Sequence, residues 1–410
     1  MINDLRVLFA PLLALVTLAM GTSLLSTLIA ISIDDLGGSD FLVGLASSFY
    51  YLGMTIGAFK IEPFVIRVGH IRAYAVFAAL ITASSLLHCF WQNTYFWISL
   101  RLLTGFGLAG MYIVIESWLL AQSTPLNRAR ILAIYMVALY GAQSLGQFLI
   151  NVGEPLSLYP FILAAVLGSL SIIPISMTHQ KSPVYNEHSV INLRKLFKIS
   201  PSGVFGCFVS GMILSALYGL LPKALEEFEL ERIQISYLMA TTIAGGMALQ
   251  YPFGWLADKF NKRTMLMLLS FAMAIIAGLI FLLIHSGIVA LYAILFVIGG
   301  LGFVLYPVAM SHACDYAEQK DMVSVTGGLL LVYGYGCILG PLLTSLFMML
   351  FGGLGFFYYC AASAAGLGLF VFWRSNQSPP LPMEAQHHVI VQNTHTTPVS
   401  NDLDPRVRND

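Results

Sequence analysis

The stretch Gly254-Trp-Leu-Ala-Asp258-Lys259-Phe-Asn-Lys262-Arg263 is a short charged segment between two long apolar runs. Asp258 is followed closely by three basic residues, whereas the runs on either side carry almost no charge. A membrane-spanning helix needs roughly 20 mostly apolar residues, and both flanking runs reach that length. The segment is therefore interpreted as a tight hairpin at a membrane surface that joins two spanning helices.

The composition of the whole chain agrees with this interpretation. Apolar residues make up 58% of the 410 positions, charged residues 10%, and the mean hydropathy is +0.81. A soluble globular protein has about 25% charged residues, so a soluble fold would lack polar surface. Twelve apolar runs are long enough to span a membrane, at approximately 7–33, 41–59, 73–90, 95–121, 131–153, 159–178, 203–223, 234–256, 264–284, 287–312, 322–350 and 353–373.

The runs predict helices rather than the strands of a membrane barrel. Barrel strands alternate apolar and polar residues over about 10 positions, whereas these runs are longer and apolar all round. Helices satisfy their backbone groups internally, as a lipid environment requires. We expect an all-α integral membrane protein. The first span lacks a short apolar core followed by an Ala-x-Ala-like site, so we expect it to remain as a signal anchor.

The distribution of basic residues predicts the topology. With a cytoplasmic N-terminus, fifteen of the 20 Lys and Arg residues fall in inside segments, while only Lys223 and Arg232 fall in outside loops. This asymmetry follows the positive-inside rule and places both termini in the cytoplasm. The net charge of zero gives no indication of a nucleic-acid partner.

Cysteine and histidine patterns indicate no metal or cofactor. The five cysteines have no paired spacing and are expected to be free thiols. The polar, proline-containing tail over 375–410 is expected to be disordered in the cytoplasm. Its histidines are more simply solvated than metal-bound, and they are His387, His388 and His395.

An internal repeat divides the chain into two halves. At an offset of 194 residues, Gly105 corresponds to Gly299 and Gly146 to Gly340. We therefore expect two pseudo-symmetric six-helix bundles. The predicted domains are an N-terminal bundle over 1–180, a cytoplasmic linker over 181–200, a C-terminal bundle over 201–374 and the tail over 375–410.

Twelve spans in two halves, with this charged hairpin between spans eight and nine, resemble the major facilitator superfamily. Its signature loop has the form Gly-x-Leu-Ala-Asp-Arg-x-Gly-Arg-Arg. The chain departs from it at Asn261, and Asn tolerates the left-handed backbone that Gly supplies. Other phrases, including Arg101-Leu-Leu-Thr-Gly-Phe-Gly and Leu305-Tyr306-Pro-Val-Ala-Met310, resemble the YcaD-type branch of bacterial transporters within that superfamily.

The resemblance implies a major facilitator fold and a cytoplasmic gate in the signature loop. The gate residues are expected to be Gly254, Asp258, Lys259, Lys262 and Arg263. Asp315, at the end of the tenth span, is the expected partner of the basic residues. The alternative is that the basic residues only anchor the topology. A degraded first-half copy retains Arg67, Gly69 and Arg72 but has Ile66 at the acidic position and Glu62 at the leading glycine.

Two charged residues inside the fourth span are candidate functional groups, because charges within a membrane are costly. Glu116 lies roughly 7 Å from the cytoplasmic end of its helix, given 1.5 Å per residue. An acid there either carries protons or forms a fixed salt bridge with Arg128, Arg130 or the loop around Arg67. Arg101 lies near the outer end, from which its stem reaches outward or attracts an anionic substrate or a proton-carrying acid.

Further polar residues are candidates for the lining of a substrate cavity between the halves, near the bilayer midplane. Gln143 and Gln147 lie four residues apart and so share one helix face. Tyrosines suit an amphipathic or aromatic solute, although each is individually more typical of packing. His312 is either a titratable group in the pathway or a solvated residue near a helix end. The tyrosines that are candidates for this lining are Tyr112, Tyr218 and Tyr306.

An enzyme is not expected, because the chain lacks His-Glu-x-x-His, Gly-x-Ser-x-Gly and Gly-x-x-x-x-Gly-Lys motifs. We expect a monomeric secondary transporter in a bacterial inner membrane, coupled to protons, with a small organic solute as substrate. The alternatives are a channel or a non-transporting receptor on the same scaffold. A drug, sugar, amino acid, metabolite or siderophore-like chelate, moved in either direction, is compatible with the sequence. Gly146-Gln147 stands where many drug antiporters have Gly-Pro, which makes drug export a less favoured interpretation.

Overall fold

A computed structural model describes residues 2–121, 123, 127–177, 193–283, 287–318 and 321–377. Helices make up the regular structure in these ranges, and no strand occurs in them. The described residues fall into two compact units, one ending at residue 177 and the other beginning at residue 193. The tail beyond residue 377, with its predicted disorder and its histidines, lies outside the described residues.

The first unit is built from six long helices and two short ones. The short helices α3 and α8 follow α2 and α7 directly, and a 3-10 turn, Leu149–Val152, extends α6. The helices are α1 (Ile2–Asp35), α2 (Asp40–Lys60), α3 (Glu62–Val68), α4 (His70–Phe90), α5 (Thr94–Ala121), α6 (Arg128–Phe148), α7 (Leu158–Leu170) and α8 (Ile172–Ser176).

The second unit repeats this arrangement of six long helices. It begins with the short helix α9, whose Leu196 is fully buried where α9 packs against α10 and α16. The helices are α9 (Leu193–Ile199), α10 (Pro201–Gly219), α11 (Leu221–Glu226), α12 (Arg232–Lys259), α13 (Lys262–Gly278), α14 (Ile280–Leu283), α15 (Ile288–Cys314), α16 (Met322–Phe351) and α17 (Leu354–Ser375).

The glycines of the sequence repeat lie at matching helix contacts. Gly105 of α5 lies directly against the backbone carbonyl of Tyr50 on α2, so that a Cβ would not fit. In the second unit, Gly299 of α15 lies in the same way against the carbonyl of Thr242 on α12. Small residues allow helices to approach this closely. Van der Waals packing can then hold the helices together where lipid provides no hydrophobic driving force. The repeat therefore extends from sequence to backbone packing.

A second pair of glycines shows the same correspondence. A Cβ at Gly146 of α6 would lie 2.6 Å from the carbonyl oxygen of Met20 on α1. Gly340 of α16 lies as closely against the carbonyl of Met212 on α10. Each unit thus has the same pairs of tightly packed helices, taken in chain order.

Ten described helices are long and apolar enough to cross a membrane. They correspond to ten of the twelve predicted spans, and the predicted eighth and ninth spans, α12 and α13, are not among them. Helix α12 has 28 residues but includes Thr241, Thr242 and Gln250, which lower its hydropathy. Helix α13 has 17 residues and ends at Gly278, before the four-residue helix α14.

Candidate functional site

The charged hairpin joins α12 to α13 through a very short turn. Helix α12 ends at Lys259, and α13 begins at Lys262. Asn261 caps α13, because its side-chain oxygen accepts a hydrogen bond from the backbone N–H of Arg263 at 3.0 Å. Its φ is −60°, so Asn261 does not adopt the left-handed backbone that Gly would supply. An extended N-cap with an Asn oxygen stabilises the helix start directly, and no glycine-like conformation is needed.

A buried ion pair links this hairpin to the end of α15. The ammonium Nζ of Lys262 donates to both carboxylate oxygens of Asp315, at 2.8 Å each. Both side chains are 1% exposed. Two charges in such surroundings are tolerated only as a pair, since removing one partner leaves the other uncompensated. Asp315 follows the last residue of α15 directly, so the pair holds the start of α13 against the end of α15.

The neighbouring cation extends this cluster. Arg263 is buried and donates from Nη2 to the hydroxyl of Tyr316, at 3.3 Å. The ring of His312 lies edge-on to that of Tyr316, with centroids 5.3 Å apart. His312 is 4% exposed, which excludes the solvated position considered from the sequence. One end of the second unit therefore gathers Lys262, Arg263, His312, Asp315 and Tyr316.

The remaining hairpin residues lie on α12 itself. Gly254 is buried and Asp258 is partly buried in the last turn. Lys259 is exposed, and its ammonium lies 3.8 Å from the ring centroid of Trp255, one turn earlier. Lys259 thus contacts its own helix, whereas Lys262 contacts a neighbouring one.

The corresponding turn of the first unit joins α3 to α4. Gly69 has the positive φ of 91° that favours glycine and separates α3 from α4. Arg67 and Arg72 are exposed. His70 lies 192 residues before Lys262, and its buried ring lies 6.0 Å from the ring of Trp118 on α5. An aromatic contact thus joins the start of α4 to α5, and an ion pair joins the start of α13 to the end of α15.

Glu116 is fully buried and hydrogen-bonded to a tyrosine. Its Oε1 accepts from the hydroxyl of Tyr135 on α6, at 2.8 Å. Tyr112, one turn earlier on α5, is 1% exposed. Sequence reasoning did not identify Tyr135 as the partner of Glu116, because contacts between different helices carry no fixed spacing.

Arg101 is also buried, at 4% exposed, so the prediction that its side chain reaches outward is wrong. Its guanidinium carbon lies 4.2 Å above the ring centroid of Tyr50 on α2. Its Nη2 donates to Ser26 Oγ on α1, at 3.2 Å. The ring face attracts the cation and replaces part of its lost hydration.

A network of polar side chains links α1 to α6. The side-chain amide of Gln147 donates to Ser23 Oγ at 2.6 Å and accepts from Thr27 Oγ1 at 2.7 Å. Ser23 in turn donates to the backbone carbonyl of Gln143 at 2.7 Å. Sequence reasoning missed the hydroxyls of α1. Residues 23, 26 and 27 lie three and four positions apart in an apolar run and so share one helix face. This spacing could have identified them from the sequence.

The two candidate tyrosines of the second unit, Tyr306 and Tyr218, each pack against another aromatic ring. Tyr306 is 1% exposed, and its ring centroid lies 4.7 Å from that of Tyr333 on α16. Tyr218 is partly buried, with its ring 5.8 Å from that of Phe303. Within the described ranges, no cluster of three or more His, Cys, Asp or Glu residues has the geometry to hold a metal ion.

The sequence profile of the Major Facilitator Superfamily matches residues 12–199 and 203–399. The chain belongs to the major facilitator superfamily. It is therefore a multi-pass membrane protein of a transporter family, not an enzyme, and its substrates are small molecules.

Relatives agree with this assignment over most of their length. The uncharacterized MFS-type transporter YcaD of Escherichia coli O45:K1 is 32% identical over 377 residues, which cover 90% of this chain and 96% of the relative. A YcaD of Salmonella enteritidis PT4 is 31% identical over 379 residues, 91% of this chain and 96% of its own. The predicted resemblance to the YcaD-type branch is confirmed.

Solved transporters share the fold at low sequence identity. The nucleoside transporter NupG has a TM-score of 0.72 at 13% identity, over 91% of this chain and 99% of its own. A bacterial homolog of the human lysosomal transporter Spinster, in an inward-facing unoccupied conformation, has a TM-score of 0.66 at 14% identity, over 99% of both chains.

Proposed function

We propose that this protein is a monomeric secondary active transporter of a small organic solute, coupled to protons, in a bacterial inner membrane. It works by alternating access with twelve spans in two six-helix bundles and both termini in the cytoplasm. Helix α12 would serve as the eighth span, since 28 residues at 1.5 Å each give about 42 Å. Helices α13 and α14 together would form the ninth.

The observation that carries this proposal is the buried pair of Lys262 and Asp315. It lies within the hairpin that matches the superfamily's signature loop, and it joins two helices through a contact that water would weaken. A charge pair of this kind is strong when dry and weak when solvated. It therefore suits a gate that is shut when the pair is buried and open when water reaches it. Asp258, Lys259 and Arg263 would support the same gate.

The polar network of the first unit supports a solute site. Arg101, Gln147, Ser23 and Thr27 are buried polar groups in helices that consist mainly of apolar residues. Intramembrane polar groups are costly and are retained mainly where they bind or conduct. Gln143, Tyr112, Tyr218, Tyr306 and His312 are further candidates for this pathway.

Glu116 is the proposed proton carrier. A tyrosine hydroxyl such as that of Tyr135 donates to an ionised carboxylate and accepts from a protonated one. The contact therefore remains satisfied in both states of Glu116, which a proton carrier requires. Helix-buried acids of this type are expected in proton pathways.

The proposal is tested by a metabolite and chelate uptake screen in vesicles reconstituted with the purified protein, with and without an imposed proton gradient. We expect saturable uptake that the gradient drives and that Glu116→Gln uncouples from it. Flux without saturation or counterflow would indicate a channel instead. Substrate binding without flux would indicate a receptor. Gradient-driven uptake that is unchanged in Glu116→Gln would exclude the proton role of that residue.

A further inference from the structure

The first unit contains a cleft of about 400 Å³ where α2, α3, α4 and α5 meet. Six of its seven lining residues are apolar, and the seventh is Lys60, the last residue of α2. The lining residues are Lys60, Ile61, Phe64, Val76, Phe77, Leu80 and Phe106. The cleft thus combines an apolar body with a single cation.

Aromatic rings form one wall of the cleft. Phe64 of α3 packs edge-on against Phe77 of α4 at 5.6 Å, and Phe77 packs edge-on against Phe106 of α5 at 6.1 Å. Val76 is 50% exposed and Phe64 39% exposed, so the cleft opens to the outside of the unit. From the start of α4, Leu80 lies about 15 Å along the helix axis. An extended hydrocarbon chain can follow this depth.

Basic side chains surround the same end of the unit. Lys60, Arg67 and Arg72 lie within thirteen residues and are all exposed, against one acid, Glu62. Lys60 makes no ion pair or hydrogen bond in the part of the chain that the structure describes. An exposed cation next to an apolar cleft at the end of a spanning helix is the pattern that attracts an anionic lipid headgroup.

We propose that this cleft binds an anionic phospholipid, with its phosphate at Lys60 and an acyl chain along Val76 and Leu80. The apolar lining suits a hydrocarbon chain, and the positive charge selects an anionic head over a zwitterionic one. A soluble metabolite would find only one polar group here. A water-soluble partner protein would not reach Val76, Leu80 and Phe106, which lie within candidate spanning helices.

The bound lipid would fasten α3 against α4 from the outside of the unit. In the second unit the corresponding hairpin is held by Lys262 and Asp315, at 2.8 Å. In the first unit Phe64 places α3 at the wall of the cleft, so that an occupant holds α3 against α4. This inference does not depend on transport or on proton coupling.

Native mass spectrometry of the purified protein tests the proposal, with dioleoyl phosphatidylglycerol compared with dioleoyl phosphatidylcholine. We expect preferential retention of phosphatidylglycerol, weakened about fivefold by Lys60→Gln, since one Lys near a lipid surface contributes about 1 kcal/mol. Lys60→Arg should retain the preference. Lys198→Gln is the matched control, because Lys198 is an exposed Lys on α9 of the second unit and does not line the cleft.

A second pair of variants tests the acyl position. Val76→Trp fills the cleft and should reduce retention of both lipids, whereas Val137→Trp, at an exposed position of α6, should not. The thermal melting temperature of each variant identifies any that fails to fold, and Lys60→Arg and Val76→Trp then serve as independent tests. Equal retention of the two lipids, or equal loss in Lys60→Gln and Lys198→Gln, would overturn the proposal.

Discussion

The two units have matching packing but different chemistry at one end. Where α13 meets α15, Lys262 and Asp315 form a buried ion pair. Where α4 meets α5, His70 contacts Trp118 through their rings. The glycine contacts that hold the helices together occur in both units. The glycine contacts therefore form a packing scheme common to both units, and the ion pair adds a local link between α13 and α15 in the second unit.

Asp315→Asn is expected to have the largest effect. It leaves the ammonium of Lys262 buried without its counter-charge, at a cost of about 3–5 kcal/mol for a broken buried pair. The double variant Lys262→Met/Asp315→Leu should recover most of the loss, because similar apolar side chains avoid charge burial. His70→Gln is the comparison in the first unit. Thermal melting in detergent measures all three, and an Asp315→Asn melting temperature equal to that of wild type would mean that the pair is not a structural link.

The glycines should respond alike in both units. Gly105→Ala and Gly299→Ala each force a methyl group into a backbone carbonyl, and overpacking of this kind typically costs about 1–3 kcal/mol. The controls are Gly141→Ala and Gly366→Ala, where a Cβ meets no atom within 4 Å. Melting temperatures should fall similarly for the first two variants and stay level or rise for the controls. A large difference between Gly105→Ala and Gly299→Ala would break the symmetry of the packing.

Tyr135→Phe should have a smaller effect, confined to the first unit. It removes the hydroxyl that donates to Glu116, and a typical hydrogen bond contributes about 1 kcal/mol. Tyr140→Phe, at a buried tyrosine of the same helix, is the control for loss of a hydroxyl. If both variants melted at the wild-type temperature, the contact between Tyr135 and Glu116 would make no contribution to folding stability.

The exposed cations should have the smallest effect. Lys259→Gln removes a surface contact with Trp255, and such contacts are worth about 0.5–1 kcal/mol. Arg67→Gln, its counterpart in the first unit, should be equally mild. Melting temperatures within a few degrees of wild type are expected for both, and a loss as large as that of Asp315→Asn would mean that the buried pair does not dominate its end of the unit.

The sequence predicted the parts of this molecule that follow from periodicity and motif. Apolar runs predicted the helices, and the repeated glycines predicted the internal repeat that the matching helix contacts show. The motif also indicated Asp315 as the partner of the basic hairpin residues. The lengths of the apolar runs predicted that α12 and α13 each span the membrane. The polar residues in α12 and the end of α13 at Gly278 make both helices weaker candidates for spanning than the run lengths suggest.

The predictions that failed concern side chains whose partners lie on other helices. Arg101 is held inside by Tyr50 and Ser26, and nothing in its own helix indicates those contacts. Tertiary contacts of this kind have no fixed spacing along the chain, so sequence patterns do not identify them.

The central claim is that the pair of Lys262 and Asp315 closes one end of the second unit. Cys314 reports on it directly, because it is adjacent to Asp315 and fully buried. In a variant that retains only this cysteine, a membrane-impermeant maleimide added to inside-out vesicles should label Cys314 slowly. Asp315→Asn should raise the labelling rate about tenfold or more, since its cost exceeds the 1.4 kcal/mol of a tenfold change, whereas His70→Gln should leave it unchanged. Equal rates in wild type and Asp315→Asn, or equal acceleration by His70→Gln, would contradict the claim.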